Sequence, residues 1–280
     1  MRWKRGHRSQ HVEDRRGQRT RRGGGMAMGG GSLILIVVAL LFGRGDIAQL
    51  IGQSASQGQS VQTSEVPVQV SPESQKHFEF VSFLMDHQQS TWAKIFAKEG
   101  ARYQSAKLVV FSENVRSACG VQSSGVGPFY CPGDQQAYID LSFFRELANL
   151  GGPGDFAQAY VLAHELGHHL QTITGISAKV HKLKQRDRRN ANEYSIRQEL
   201  QADCYAGVWG YWAGQDGLLE MGDVEEGLRA AAAIGDDALQ RRSTGTVRPE
   251  AWTHGSSEQR MEWFMRGQKS GDMHACDTFQ

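Results

Sequence analysis

The stretch Ala163-His164-Glu165-Leu166-Gly167-His168-His169-Leu170 constrains this chain more than any other, because it holds the pattern H-E-x-x-H. Histidines four residues apart project from one face of an α-helix, so both imidazoles can reach a common metal ion. The glutamate after the first histidine lies beside that face, within reach of a water on the metal. The pattern is short enough to recur by chance, so its surroundings must decide. They favour a helix. Gly151-Gly152-Pro153-Gly154 breaks the chain just upstream, Asp155 is placed to cap the next helix, and Phe156, Ala159, Tyr160, Ala163, Leu166 and Leu170 form one apolar stripe.

A catalytic zinc site needs a third protein ligand and one open position. A third histidine six residues past the second would complete H-E-x-x-H-x-x-G-x-x-H, but Gln171 and Thr174 occupy the glycine and histidine places. The other common supply is a glutamate on a later helix within E-x-x-x-D. Glu199-Leu200-Gln201-Ala202-Asp203 provides it, and the two carboxylates share a helix face. Glu199 is therefore expected to bind Zn2+ with His164 and His168. Asp203 is expected to accept a hydrogen bond from the non-coordinating nitrogen of a ligand histidine, His164 in the first instance. Glu165 becomes the general base towards a zinc-activated water, in hydrolysis of a peptide bond. His254, just before a capped helix, and Arg260, in that helix's second turn, are candidates for stabilising the oxyanion or supporting the site. The bland reading makes His254 a turn filler and Arg260 a partner for a surface acid. His169 points about 100° away from His168 around the helix and reads as a packing or supporting group.

The rest of the folded chain reads as α+β with helices dominant and a small sheet. Helical spacing runs from Glu73 to Lys98, Ser142 could cap a short helix to Leu150, and further helices span Glu193–Trp212 and Asp223–Ile234. Lys179–Arg189 is a basic loop or helix face. Ser256 with Gln259 forms a capping box opening a last helix, Ser257 to about Gly267. Lys107–Phe111 and Ala137–Leu141 are strands, and the second, from Tyr138 to Leu141, could be an edge that an extended substrate joins, or an ordinary core strand.

The net charge of +1 hides an asymmetry: residues 1–25 hold nine Arg/Lys against Glu13 and Asp14, leaving 22 basic and 28 acidic residues beyond. After this arm, Ser32–Phe42 reads SLILIVVALLF inside an uncharged stretch from Gly23 to Gly43, long enough to cross a bilayer. The division is then a basic cytoplasmic arm over 1–25, one transmembrane helix with its flank over 26–51, a Gln/Ser/Val-rich linker over 52–72, and a zinc peptidase domain over 73–280. Arginines before the apolar run place the domain on the extracytoplasmic side. A cleaved signal peptide is the rival reading. Nucleic-acid binding by the arm is not expected beside such a segment. Cys119, Cys131, Cys204 and Cys276 all follow the apolar run, and their even number suits two disulfides, Cys119–Cys131 and Cys204–Cys276.

The chain resembles the bacterial neutral zinc metallopeptidases, which belong with the gluzincins. The likeness rests on His164-Glu165-Leu166-Gly167-His168-His169, on Glu199 to Cys204 followed by Ala206-Gly207-Val208-Trp209, on Ala233 to Asp237, and on Thr253 to Arg260. It extends from roughly Gly29 to the C-terminus. The resemblance implies a minimal zincin-like domain, zinc at His164, His168 and Glu199, and Glu165 as base. Thr253-His254-Gly255-Ser256-Ser257 looks like the T-H-P-x-x-x-x-R ending of membrane-associated gluzincins, with Gly255 where proline would stand. The expectation is a zinc peptidase at the bacterial inner membrane. The competing reading is a catalytically silent, membrane-tethered binding protein, which would predict loss of the base or a ligand.

Overall fold

In the computed structural model, which describes residues 1–18 and 70–279, Ser71 opens the first long helix. Its hydroxyl accepts the Ser74 N–H at 3.1 Å, and Pro72 takes the first helical position of α1 (Pro72–Lys98), where no amide proton is needed. Phe80, Val81, Leu84 and Met85 bury the inner face of α1 in the main core, with Leu108, Val110 and Ile139 from the sheet.

That sheet has the order β1 (Val12–Asp14), β2 (Lys107–Phe111), β6 (Gln136–Asp140), β5 (Phe129–Cys131). β2 runs parallel to β6, and β5 closes the far side of β6 antiparallel. Strand β6 is therefore internal, and the reading of Tyr138–Leu141 as a substrate-accepting edge is corrected. Its consecutive buried residues Ala137, Tyr138 and Ile139 are those of a strand covered on both faces. The edge beside the motif helix is β5. A separate hairpin, β3 (Asn114–Ser117) with β4 (Gly120–Ser123), adds to the expected strands; a disulfide joins Cys119 in its turn to Cys131 at the end of β5.

The N-terminal arm also departs from expectation. β1 (Val12–Asp14) pairs parallel with Leu108–Val110 of β2. Trp3 packs on Phe80 with ring centroids 5.1 Å apart, His7 Nε2 lies 2.7 Å from an Asp86 carboxylate oxygen, and the Arg16 guanidinium stacks over Phe78. The Met1 ammonium donates to Asp155 at 2.8 Å and pairs with Asp223 at 3.3 Å. Residues 1–18 thus pack against the domain rather than standing apart from it as a separate arm. The apolar segment 26–51 and the linker up to residue 69 lie outside the described residues. Among the described residues, no helix is long and apolar enough to cross a membrane.

After the short α2 (Phe143–Asn149) comes the motif helix, α3 (Asp155–Ile173). Neither expected cap forms. Ser142 makes no capping bond, and the cap of α3 is Gly154, with Asp155 already inside the helix. Gly154 has φ +121°, and a Cβ there would lie 2.0 Å from the Glu226 carboxylate, which accepts the Phe156 N–H at 3.0 Å. The acid that caps α3 therefore comes from another helix, α6 (Asp223–Ala233).

Between them in sequence come α4 (Ile176–Arg186) and α5 (Ala191–Gln215). α5 crosses α3 at Gly167 inside the motif, where an added Cβ would stand 2.9 Å from the Ala202 Cα. This close approach brings Glu199 and Asp203 level with His164 and His168. Two further helices finish the layer. α7 (Asp236–Thr244) is additional to the expected helices, and α8 (Ser257–Ser270) carries the full Ser256/Gln259 capping box. A disulfide ties Cys204 on α5 to Cys276. The architecture is helix-dominated α+β.

Candidate active site

Three residues of the motif helix and its neighbour meet in one largely buried cluster. His164 Nε2 lies 3.2 Å from Glu199 Oε2, and His168 Nε2 lies 3.5 Å from the same oxygen. The three donor atoms fall within 4.8 Å of one another. Behind them, His164 Nδ1 is 2.8 Å from Asp203 Oδ1, and His168 Nδ1 is 2.9 Å from Gln171 Oε1. With each Nδ1–H donated to an oxygen, both Nε2 atoms are presented to the cluster centre.

The surroundings hold Asp203 ionised. Burial alone would raise its pKa, but the Arg260 guanidinium and His164 outweigh it and bring the pKa down to about 2. Arg260 grips it with both arms, Nε to Oδ2 at 2.8 Å and Nη2 to Oδ1 at 2.9 Å, while Nη1 donates to the Ile234 carbonyl at 3.1 Å. The Tyr160 hydroxyl donates to Asp203 as well. Arg260, Asp203, Tyr160 and His164 are therefore one buried network, fully connected, which suits charges removed from water.

The His164 imidazole responds to its two carboxylates. Burial works to lower its pKa, yet Asp203 and Glu199 raise it to about 9. The same exchange, dominated by desolvation but reversed by the histidines, takes Glu199 well below its usual range. In metal-free protein His164 is thus an imidazolium whose Nε2 proton bridges to Glu199. A cation with affinity for imidazole nitrogen and carboxylate oxygen would take the place of that proton.

Two observations test whether zinc suits these residues. The donors are two imidazole nitrogens and one carboxylate oxygen converging from two helices, the three-ligand set of a catalytic zinc. Glu165 Oε2 is buried with no hydrogen-bond partner among the described residues, and burial raises its pKa against the opposing pull of both histidines. A buried carboxylate oxygen left unpaired beside a metal-type donor set is unusual, because it forgoes stabilising contacts unless a ligand supplies them. The residues fit the ion. A second group of carboxylates, Asp155, Asp223 and Glu226, also lies within 4.8 Å, but it has no nitrogen donor and faces the Met1 ammonium.

His254 comes into the same cavity as His164, Glu165, Glu199 and Arg260. Its Nδ1 is 3.1 Å from Asp236 Oδ1, and Asp236 Oδ2 accepts the backbone N–H groups of Thr253, His254 and Gly255 at 2.7, 2.7 and 3.1 Å. Neither bland reading holds: His254 is held towards the cavity, and the partner of Arg260 is a buried acid. His169 turns away, with Nε2 2.6 Å from the Gln104 carbonyl and Nδ1 3.1 Å from the Tyr130 hydroxyl.

Sequence reasoning misses three contributors. Tyr160 reads only as apolar stripe, although four residues before His164 it shares that histidine's helix face. Gln171 stands out only as a missing glycine, yet it orients His168. Asp236 falls in the Ala233–Asp237 stretch of the family likeness, but nothing local shows its role, since its partners lie 17 to 19 residues away.

A pair of helix-borne histidines, a carboxylate from the next long helix and an unpaired glutamate beside them make up the donor set of a metal site. The family model described as "Putative neutral zinc metallopeptidase" matches residues 1–279. The chain is similar to uncharacterized protein YpfJ of Escherichia coli K12, 45% identical over 293 aligned residues covering 100% of this chain and 99% of that protein. It is also similar to the uncharacterized proteins Mb2605 of Mycobacterium bovis and Rv2575 of Mycobacterium tuberculosis, each 44% identical over 189 residues and covering 63% of either chain. No solved structure matches the chain. The chain belongs to the neutral zinc metallopeptidase family, in agreement with the resemblance read from its motifs.

Proposed function

We propose that this protein is a zinc-dependent peptidase in which His164, His168 and Glu199 hold the ion and Glu165 moves the proton. The observation that carries the reading is Glu165 Oε2, buried and unpaired at the edge of the His164/His168/Glu199 cluster. When bound, zinc supplies a Lewis acid that polarises a carbonyl and lowers the pKa of a water towards ~7. Glu165, its basicity raised by burial, accepts the proton as that water attacks and returns it to the leaving amine. His254, aimed by Asp236, and Arg260 flank the place where negative charge develops. His254 is the better donor of the two, because both carboxylate-facing arms of Arg260 are committed to Asp203.

A polypeptide substrate suits the cleft. β5 is the outer strand of the sheet, and Phe129 and Tyr130 border the cleft together with Glu165 and His168. An extended chain can add its backbone to such an edge and pass its carbonyl over the cluster. We further propose that the domain works outside the cytoplasm, attached to the membrane through residues 26–51. Two disulfides support this location, and the apolar run supports the attachment.

The reading is tested by loading the purified chain with zinc and following cleavage of unfolded casein with and without Glu165→Gln. Cleavage should fall by at least about a thousandfold in the variant while zinc stays bound, as when an essential proton-transfer group is removed. Stoichiometric zinc with no Glu165-dependent cleavage of any polypeptide would instead leave a metal-binding relative without peptidase activity.

A further inference from the structure

The cleft differs sharply on the two sides of Glu165 and Glu199, which face both halves. One half is a small apolar cavity of about 120 Å³, walled by Val126, Phe143, Val161 and Leu239. The other is wider, about 530 Å³, and is bordered by Tyr130, Thr172, Gln198, His181 and Lys184. Lys184 is the lysine ammonium there, and the chemistry does not use it.

We propose that Lys184 is a specificity residue that selects substrates carrying a carboxylate close to the scissile bond. The proposal rests on the peptidase reading and names the substrate class of that site. Lys184 lies in the last turn of α4, half-buried, where its Nζ donates to Ser195 Oγ at 2.7 Å. Ser195 in turn donates to the Ala191 carbonyl at 3.1 Å. These bonds aim the ammonium without neutralising it. Among the described residues, no carboxylate comes within 4.0 Å of Nζ, the distance of an ion pair. Glu199 acts on it only from further away, and that charge is committed to the metal cluster.

An ammonium half removed from water and left without an anion is poised for one, because pairing recovers the lost hydration. An ion pair formed inside the cleft is screened less than one at the surface. The complementary group is a carboxylate. It can come from an aspartate or glutamate side chain or from the free C-terminus of a peptide; the first makes the enzyme an endopeptidase with acidic preference, the second a carboxyl-terminal trimmer.

The rival is a purely structural lysine that pins α4 to α5 through Ser195. A proteome-derived peptide library first gives a sequence that the zinc-loaded enzyme cleaves. Matched peptides then carry Glu, Gln or Lys near the cut, each with a free or amidated C-terminus. Binding to zinc-loaded Glu165→Gln protein is read by fluorescence anisotropy, and kcat/KM is read on the active enzyme. Removing the relevant carboxylate should weaken binding by about tenfold in a Lys184-containing protein, the scale of one partly buried charge pair. The ratio should collapse towards one in Lys184→Met, persist in Lys184→Arg, and invert towards lysine-bearing peptides in Lys184→Glu. Sensitivity to Glu→Gln alone assigns the side chain; sensitivity to amidation alone assigns the C-terminus. A ratio near one in the unaltered enzyme, or an unchanged ratio in a folded Lys184→Met protein, would overturn the proposal and leave peptidase activity standing. Absence of any Glu165-dependent cleavage would instead remove the peptidase reading beneath it.

Discussion

Asp203 illustrates how much a single buried carboxylate settles here. It fixes the His164 tautomer, pairs with both arms of Arg260 and accepts from Tyr160. Asp203→Asn keeps the shape and removes the charge, leaving Arg260 buried without its anion. Denaturant unfolding should show a loss of about 3–5 kcal/mol, and zinc affinity should fall by about 10–100-fold. A variant as stable as the parent, with equal zinc affinity, would mean that the network is incidental. His164 adds a pH signature. Its pKa is raised to about 9 in metal-free protein against 6.5 for the unperturbed side chain, so its stabilising contribution is complete below pH 6.5 and disappears as pH rises through 9. Metal-free protein should therefore lose about 3 kcal/mol across that window, whereas zinc-loaded protein, whose imidazole is already deprotonated, should lose far less. Thermal melts of both forms at pH 6 and pH 9 check the difference. Residue roles set by local spacing are readable in sequence: Glu199 and Asp203 four apart, His164 and His168 four apart. Roles set by distant packing, such as those of Gln171 and Asp236, are not.

At the level of elements, the long helices are legible because each buries a stripe at helical spacing. Glu73–Lys98 is expected and Pro72–Lys98 is observed; Asp223–Ile234 is expected and Asp223–Ala233 is observed. Caps are less legible, since the acid serving α3 is Glu226 rather than the adjacent Asp155. Strand β1 is invisible for a different reason. It is only three residues long, its pattern is dominated by charge, and its partner β2 lies almost a hundred residues on. Its docking makes a topological prediction. Cysteines placed at the exposed positions Arg5 and Arg188 should respond alike to a membrane-impermeant maleimide, because the native cysteines are all in disulfides and both sites belong to one body. Labelling of both from outside intact cells fits the proposed location. Labelling of Arg188→Cys alone would mean that β1 leaves β2 in the cell and the arm lies across the bilayer.

For the molecule as a whole, the sheet, α1 and the N-terminal strand form a scaffold against which α3 and α5 are pressed, and α8 seals the back of the site through Arg260. The close crossing at Gly167 and the Cys204–Cys276 disulfide hold α5 in register, so that Glu199 meets the two histidines rather than passing beside them. The chemistry-bearing half of this plan is contained in two short motifs 31 residues apart. The cleft's division into apolar and cationic halves is not, because it is assembled from widely separated segments. Where the ion binds decides whether His164, His168 and Glu199 form the metal site proposed above. A crystal structure of the zinc-loaded chain, with anomalous scattering collected at the zinc edge, should show one strong site at about 2.0–2.2 Å from His164 Nε2, His168 Nε2 and a Glu199 carboxylate oxygen, with Glu165 close by but not ligating. Zinc held instead by Asp155, Asp223 and Glu226, or by Glu165 in place of Glu199, would contradict it.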